Sequence, residues 1–136
     1  MMLEEVEMRL VISIILSVFL ISGCAATYEE ATYRQIGMDE AVALMEEESN
    51  YIILDVRTPE EFSERHIPGA INIPNETIGT EEIPELPDKD QMILVYCRSG
   101  NRSKQASEKL VDLGYTNIVE FGGINDWPGN TEPGIG

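Results

Sequence analysis

One histidine, two cysteines and one tryptophan are spread over 136 residues. A lone His66 with Cys24 and Cys97 does not make a metal site of recognisable spacing, and no metal is expected. Bases are scarce as well: 9 Lys and Arg stand against 25 Asp and Glu, a net charge of −16. So acidic a surface argues against nucleic acid or anionic lipid headgroups as partners. Long hydrophobic runs are missing too. The run that stands out, Leu10 to Ile21, has 12 residues, short of the about 20 that a spanning helix needs. There is no internal repeat and no low-complexity block. What remains is an ordinary apolar content of 43%, enough for a single domain with one core.

The short apolar run has the length of a signal-peptide core and ends at Ile21-Ser22-Gly23-Cys24. Small residues before a cysteine resemble the lipobox of prokaryotic lipoproteins, in which the cysteine is lipidated and becomes the mature N-terminus. Residues 1–23 are therefore expected to be a lipoprotein-type signal peptide, Cys24 the lipidation site, and residues 24–32 a polar tether. The acids Glu4, Glu5 and Glu7 stand where a positive leader is expected, and Met8 offers a better start. Cleavage removes three acids and one base, leaving −14. The expected location is extracytoplasmic, lipid-anchored to the cell membrane of a prokaryote. A lipidated Cys24 cannot pair with Cys97, which becomes the only thiol of the mature domain.

From Tyr33 the chain alternates short strands and helices. Tyr33 to Ile36 reads as an edge strand, and Met38 to about Glu48 as a helix with Met38, Ala41, Val42 and Met45 inward. Tyr51 to Val56 is a buried strand. Thr58-Pro59-Glu60-Glu61 has a capping-box pattern with proline at the first helical position. Pro68-Gly69 stops that helix, and Ala70 to Ile73 is another short strand. Asn75 to Lys89 is a surface loop. Met92 to Tyr96 is a central strand, Ser103 to Gly114 a helix, and Thr116 to Phe121 a last strand of alternating burial. Gly122-Gly123 is a tight turn before a helical turn ending on Trp127. The domain is expected over residues 33–130, with 131–136 a flexible tail. Such alternation predicts an α/β fold with a mostly parallel sheet, whose site lies at the carboxyl ends of the strands.

One strand end carries chemistry. Four of the nine bases, Arg98, Arg102, Lys104 and Lys109, follow Cys97, which closes the central strand. A cysteine between a strand and a helix start meets converging N–H groups and the positive end of the helix dipole, conditions that stabilise a thiolate. Ser99 and Gly100 are small enough to let the loop curl around the sulfur. Arg98 and Arg102 are candidates to hold an anionic substrate, with bracing of the loop through a carboxylate the alternative role for one of them. Ser103 is expected to cap the helix. His66 reads as a turn or packing residue, not a base. Asp55 and Arg57 read as a pair at the site rim, and Trp127 as packing over the last turn.

Leu54-Asp55-Val56-Arg57, Glu61-Phe62, His66 through Pro74, Val95 through Ser103, and Gly122-Gly123-Ile124 with Trp127 together resemble a single-domain rhodanese over about residues 33 to 129. The resemblance implies the rhodanese fold, with a mostly parallel central sheet flanked by helices, and thiosulfate-type sulfur transfer through a persulfide on Cys97. Arg98, Ser99, Gly100, Asn101, Arg102 and Ser103 then form the substrate loop, and no cofactor is needed. The implied partners are a small anionic sulfur donor and a thiol or cyanide acceptor, with a protein persulfide acceptor as a further candidate. Two alternatives stand beside this: a persulfide carrier or sensor with little turnover, and a cysteine phosphatase or arsenate reductase. The second needs five residues between cysteine and arginine, whereas four separate Cys97 from Arg102.

Overall fold

Strand-forming runs that are apolar throughout can be buried only between two covering layers, and this one requirement shapes the domain. The computed structural model describes residues 30–135. The signal peptide, Cys24 and most of the tether lie outside the described residues. The elements run β1 (Arg34–Gln35), α1 (Met38–Glu47), β2 (Tyr51–Asp55), α2 (Pro59–Glu64), β3 (Ile71–Asn72), a 3-10 turn (Asn75–Thr77), β4 (Met92–Cys97), α3 (Asn101–Asp112), β5 (Ile118–Gly123) and a closing 3-10 turn (Ile124–Asp126). The five strands form one sheet in the order β1-β5-β4-β2-β3, and every neighbouring pair is parallel. Residues 31–136 form a compact unit, and both hydrophobic clusters lie within it. Among the described residues no helix is long and apolar enough to cross a membrane.

Side chains alternate across a strand, so each strand feeds both faces of the sheet. Leu54, Ile93, Val95, Cys97 and Ile118 face one cluster with Ala106 and Leu110 of α3. Ile53, Leu94, Tyr96, Val119 and Phe121 face the other, with Ala41 of α1 and Phe62 of α2. The loop after β3 covers the first face by burying Ile78, Ile83 and Leu86. Its anchors are polar as well: the Tyr115 hydroxyl donates to the Leu86 carbonyl at 2.6 Å, and Lys109 Nζ donates to the Asn75 carbonyl at 2.9 Å.

The second helix starts as its sequence dictates. Thr58 accepts from the Glu61 N–H, the Glu61 carboxylate accepts from the Thr58 N–H, and Pro59 occupies the first turn. Four expectations need correction. Helix α3 begins at Asn101, and its cap is Gly100 with φ 112°, a left-handed conformation suited to glycine; Ser103 lies inside the helix and caps nothing. Strand β5 is buried nearly throughout instead of alternating, because layers cover it on both sides. Gly122 and Gly123 end that strand instead of forming a turn, and a register irregularity between Val95 and Cys97 sets Gly123 opposite Cys97. The expected loose tail is tied down in part: His66 and Glu132 exchange backbone hydrogen bonds at 2.9 and 3.0 Å, and Gly134 N–H donates to the Ser63 carbonyl.

Candidate active site

Strand β4 ends on Cys97 in the middle of the sheet, and the chain must turn at once to enter α3. The left-handed Gly100 makes that turn and points its own N–H at the sulfur, 3.0 Å away. Cys97 itself exposes 1% of its surface. Burial pushes its thiol up, but the Ser103 hydroxyl and the N–H groups of Ser103, Gly100 and Ser99 together outweigh that and leave it below its ordinary value. The cradle does most of the lowering. The loop closes tightly because β5 brings glycine against it: a Cβ on Gly123 would collide with the Arg98 carbonyl. The Asn125 N–H donates to that same carbonyl at 3.2 Å.

The two loop arginines have separate places. Arg102 forks onto Glu61, Nη1 to Oε2 at 2.7 Å and Nη2 to Oε1 at 2.9 Å, and so braces the loop against the cap of α2. Arg98 is exposed, and among the described residues its guanidinium has no ion-pair partner. Beside it is a cavity of about 130 Å³ lined by Arg57, Glu61, Glu64, Arg65, Arg98, Ile124 and Asn125. Larger depressions, of about 410 and 440 Å³, are lined by residues from α2, β3, the long loop and the C-terminus, and by no residue of the cysteine loop. The small polar cavity is the one contiguous with the sulfur's own loop. Ser99 and Asn101 are exposed at the rim, Lys104 is exposed on α3, and Lys109 is engaged by Asn75.

The Glu61–Arg102 pair has a pH signature. The Arg102 guanidinium, with Thr58 assisting, holds the Glu61 carboxyl at about 2 against an ordinary 4.5. The folded value is depressed, so the pair's contribution is fully present above about 4.5 and is lost as pH falls toward 2. Both groups are about one-quarter exposed, which screens the pair and keeps its contribution modest, within about 1 kcal/mol. Urea unfolding across that window should show a stability loss in the wild type that is smaller in Glu61→Gln.

Other singled-out residues support rather than react. His66 is buried, stacks on Phe62 with centroids 3.8 Å apart, and its Nδ1 lies 2.9 Å from the Phe62 carbonyl. It belongs to packing, as its turn motif suggests. Asp55 and Arg57 form a buried pair, Nη2 to Oδ2 at 2.7 Å, and Nη2 also donates to the Arg65 carbonyl. Trp127 packs on the α1–α2 side, its indole donating to the Asn130 carbonyl. One residue the sequence did not single out stands under the loop. Glu120 of β5 is buried, and its Oε1 accepts from the Ser103 hydroxyl at 2.6 Å and the Gly122 N–H at 2.9 Å. A lone acid between Val119 and Phe121 was the only signal of it, and an alternating strand would have turned it to solvent.

A cysteine at the carboxyl end of a central parallel strand, ringed by the N–H groups of a short loop, coincides with a known family pattern. The rhodanese-like domain family matches residues 38–130. The chain belongs to that family. It is 41% identical over 73 residues to the Escherichia coli thiosulfate sulfurtransferase PspE, covering 54% of this chain and 70% of that protein. It is 37% identical over 95 residues to the adenylyltransferase and sulfurtransferase UBA4 of Meyerozyma guilliermondii, of whose length it spans 22%. Among solved structures, a rhodanese with anions from E. coli superposes with a TM-score of 0.57 at 39% identity, covering 62% of this chain and 99% of that one. The fold is the rhodanese-like α/β fold, with a parallel central sheet flanked by helices. The family match begins at α1 and runs past Trp127.

Proposed function

We propose that this rhodanese domain is a thiosulfate sulfurtransferase that carries the transferred sulfur as a persulfide on Cys97. The observation that supports the reading most is the cradle of N–H donors around a sulfur that exposes 1% of its surface. Such a sulfur ionises more readily than an ordinary thiol and is reached by the terminal atom of a slim anion more readily than by a bulky group. The Cys97 thiolate attacks the outer sulfur of the donor. A sulfur–sulfur bond forms on Cys97, the donor's own sulfur–sulfur bond breaks, and sulfite leaves with its electron pair. An acceptor thiolate or cyanide then attacks the outer sulfur, and Cys97 departs as thiolate. The cradle that stabilises the attacking anion also stabilises the leaving one. The names of the relatives support the same reaction class.

Arg98 is the residue that holds the anionic donor, since Arg102 is engaged by Glu61. One charge-assisted contact is worth about 1.5–3 kcal/mol. Arg98→Ala should therefore raise the KM for thiosulfate by about tenfold or more, with a smaller change in kcat. An unchanged KM assigns donor binding elsewhere. The same pairing disfavours a phosphatase, whose loop needs its arginine turned inward onto an oxyanion. A carrier with little turnover is distinguished by steady-state assay with thiosulfate and several thiols.

The location is part of the reading. Cys24 is the lipidated N-terminus that tethers the domain outside the cytoplasm of a prokaryote, supported by the apolar run that ends at Ser22-Gly23-Cys24. Expressed in a bacterium, the full chain should partition with membranes and Cys24→Ser should release it. Membrane association that survives the substitution would refute the anchor.

A further inference from the structure

Ser103 Oγ has more neighbours than one hydroxyl proton can serve. It lies 2.6 Å from Glu120 Oε1, 2.9 Å from the Gly100 carbonyl, and 3.4 Å from both Cys97 Sγ and the Gly122 carbonyl. All of this is buried: Ser103 and Glu120 expose 0% and 3% of their surfaces. A hydroxyl has one proton and two lone pairs. The shortest contact is the one to Glu120, whose Oε1 also takes the Gly122 N–H, the acceptor pattern of a carboxylate. With the proton committed there, Oγ faces Cys97 as an acceptor and suits a thiol, S–H donating to Oγ. A thiolate needs the reverse: the hydroxyl must leave Glu120 and turn to the sulfur.

We infer that Glu120 is a positioning residue for sulfur transfer: it competes with the Cys97 sulfur for the single proton of Ser103 and thereby limits how strongly the sulfur anion is held. The inference rests on the sulfur-transfer reading of Cys97. Its chemical sense is that a thiolate stabilised by every available donor is a weak nucleophile, because nucleophilicity falls as the anion becomes less basic. The loop N–H groups supply a fixed, strong stabilisation, and Glu120 withholds the one adjustable donor. No covalent step is added. Ionisation of Cys97 breaks the Ser103–Glu120 bond and turns the hydroxyl to Sγ. When sulfur is loaded the negative charge moves to the outer atom, Sγ no longer needs the proton, and the hydroxyl returns to Glu120. The other groups around this set are Tyr33 before β1, whose phenol is raised by burial and then by the charges of Glu108 and Glu120, and Arg102 of α3, on which the Cys97 charge acts. Neither removes the competition, since neither donates to Ser103.

The test is the pH dependence of Cys97 alkylation by iodoacetamide, measured on residues 31–136, which contain the whole sheet and both clusters. Glu120→Gln keeps an acceptor for Ser103 but removes the anion. It should lower the Cys97 midpoint by about one unit and lower the limiting rate at high pH about threefold, so that its profile crosses that of the wild type. Ser103→Ala should raise the midpoint, and adding Glu120→Gln to it should shift the midpoint by less than half as much as on the wild type. A Glu120→Gln midpoint that is unmoved or raised, or a shift undiminished without Ser103, overturns the inference. If Glu120→Gln does not fold, carbon-13 titration of the Glu120 carboxyl decides: its resonance should move through the Cys97 midpoint in the wild type and not in Cys97→Ala. A flat resonance overturns the inference. Alkylation needs no sulfur donor, so these shifts without any thiosulfate turnover would overturn the sulfurtransferase reading and uphold the role of Glu120.

Discussion

Cys97→Ser should leave the fold intact and reduce thiosulfate turnover to the uncatalysed background. Serine is nearly isosteric, and its hydroxyl can take the Gly100 N–H that Sγ takes at 3.0 Å. The buried neighbourhood therefore keeps its hydrogen bonds and the melting temperature should shift little. The chemistry has no substitute. A serine nucleophile needs a general base, and the one histidine of the chain is committed to Phe62 and Glu132. Glu120 reaches the site only through Ser103, and an oxygen at position 97 cannot hold sulfane sulfur reversibly. Thiosulfate-dependent thiocyanate formation is the direct assay. Turnover retained by this variant would remove Cys97 from the mechanism.

Arg57→Ala should be the most damaging single change to stability. Asp55 is 0% exposed and accepts three times from the Arg57 side chain, from Nε at 3.1 Å to each carboxylate oxygen and from Nη2 at 2.7 Å, beside the Arg57 backbone N–H at 2.9 Å. Taking away the guanidinium leaves the buried carboxylate with the backbone N–H of residue 57 but no charged partner, and also frees the Arg65 carbonyl. Breaking one side of a buried pair costs about 3–5 kcal/mol. For a domain of this size that is a fall in Tm on the order of 15 °C or more. A double change, Asp55→Asn with Arg57→Met, should recover part of the loss, because no unpaired charge remains. Thermal unfolding of the three proteins measures both effects, and an Arg57→Ala protein within a few degrees of wild type would contradict this account of the pair.

What the sequence made legible was local. The capping box of α2, the buried strands and the strand-end cysteine each announce themselves within a few neighbouring residues. So does the packing role of His66, which follows from its place in a turn. The contacts that specify the site are long-range and leave no periodic trace. Arg102 meets Glu61 across 41 residues, and Lys109 reaches Asn75 across 34. The basic island was visible as composition, yet half of it serves the scaffold. Ser103 was misread for a related reason. Serine near a helix start is a good cap by propensity, but Gly100 began the helix earlier and carried Ser103 inward to Glu120. Glu120 escaped notice because burial on both faces of β5 is set by α3 and its opposing layer, not by the strand itself. The tail's attachment through Glu132 depends on His66, 66 residues earlier.

The central claim is that Cys97 accepts a sulfur atom from a thiosulfate-type donor. Intact-mass spectrometry tests it most directly, on residues 31–136, where Cys97 is the only cysteine. After incubation with thiosulfate and removal of excess donor, the domain should gain the mass of one sulfur atom. Cyanide should discharge it with formation of thiocyanate, and Cys97→Ser should gain nothing. A wild-type domain that stays at its native mass under thiosulfate, or a gain that persists in Cys97→Ser, would contradict the account.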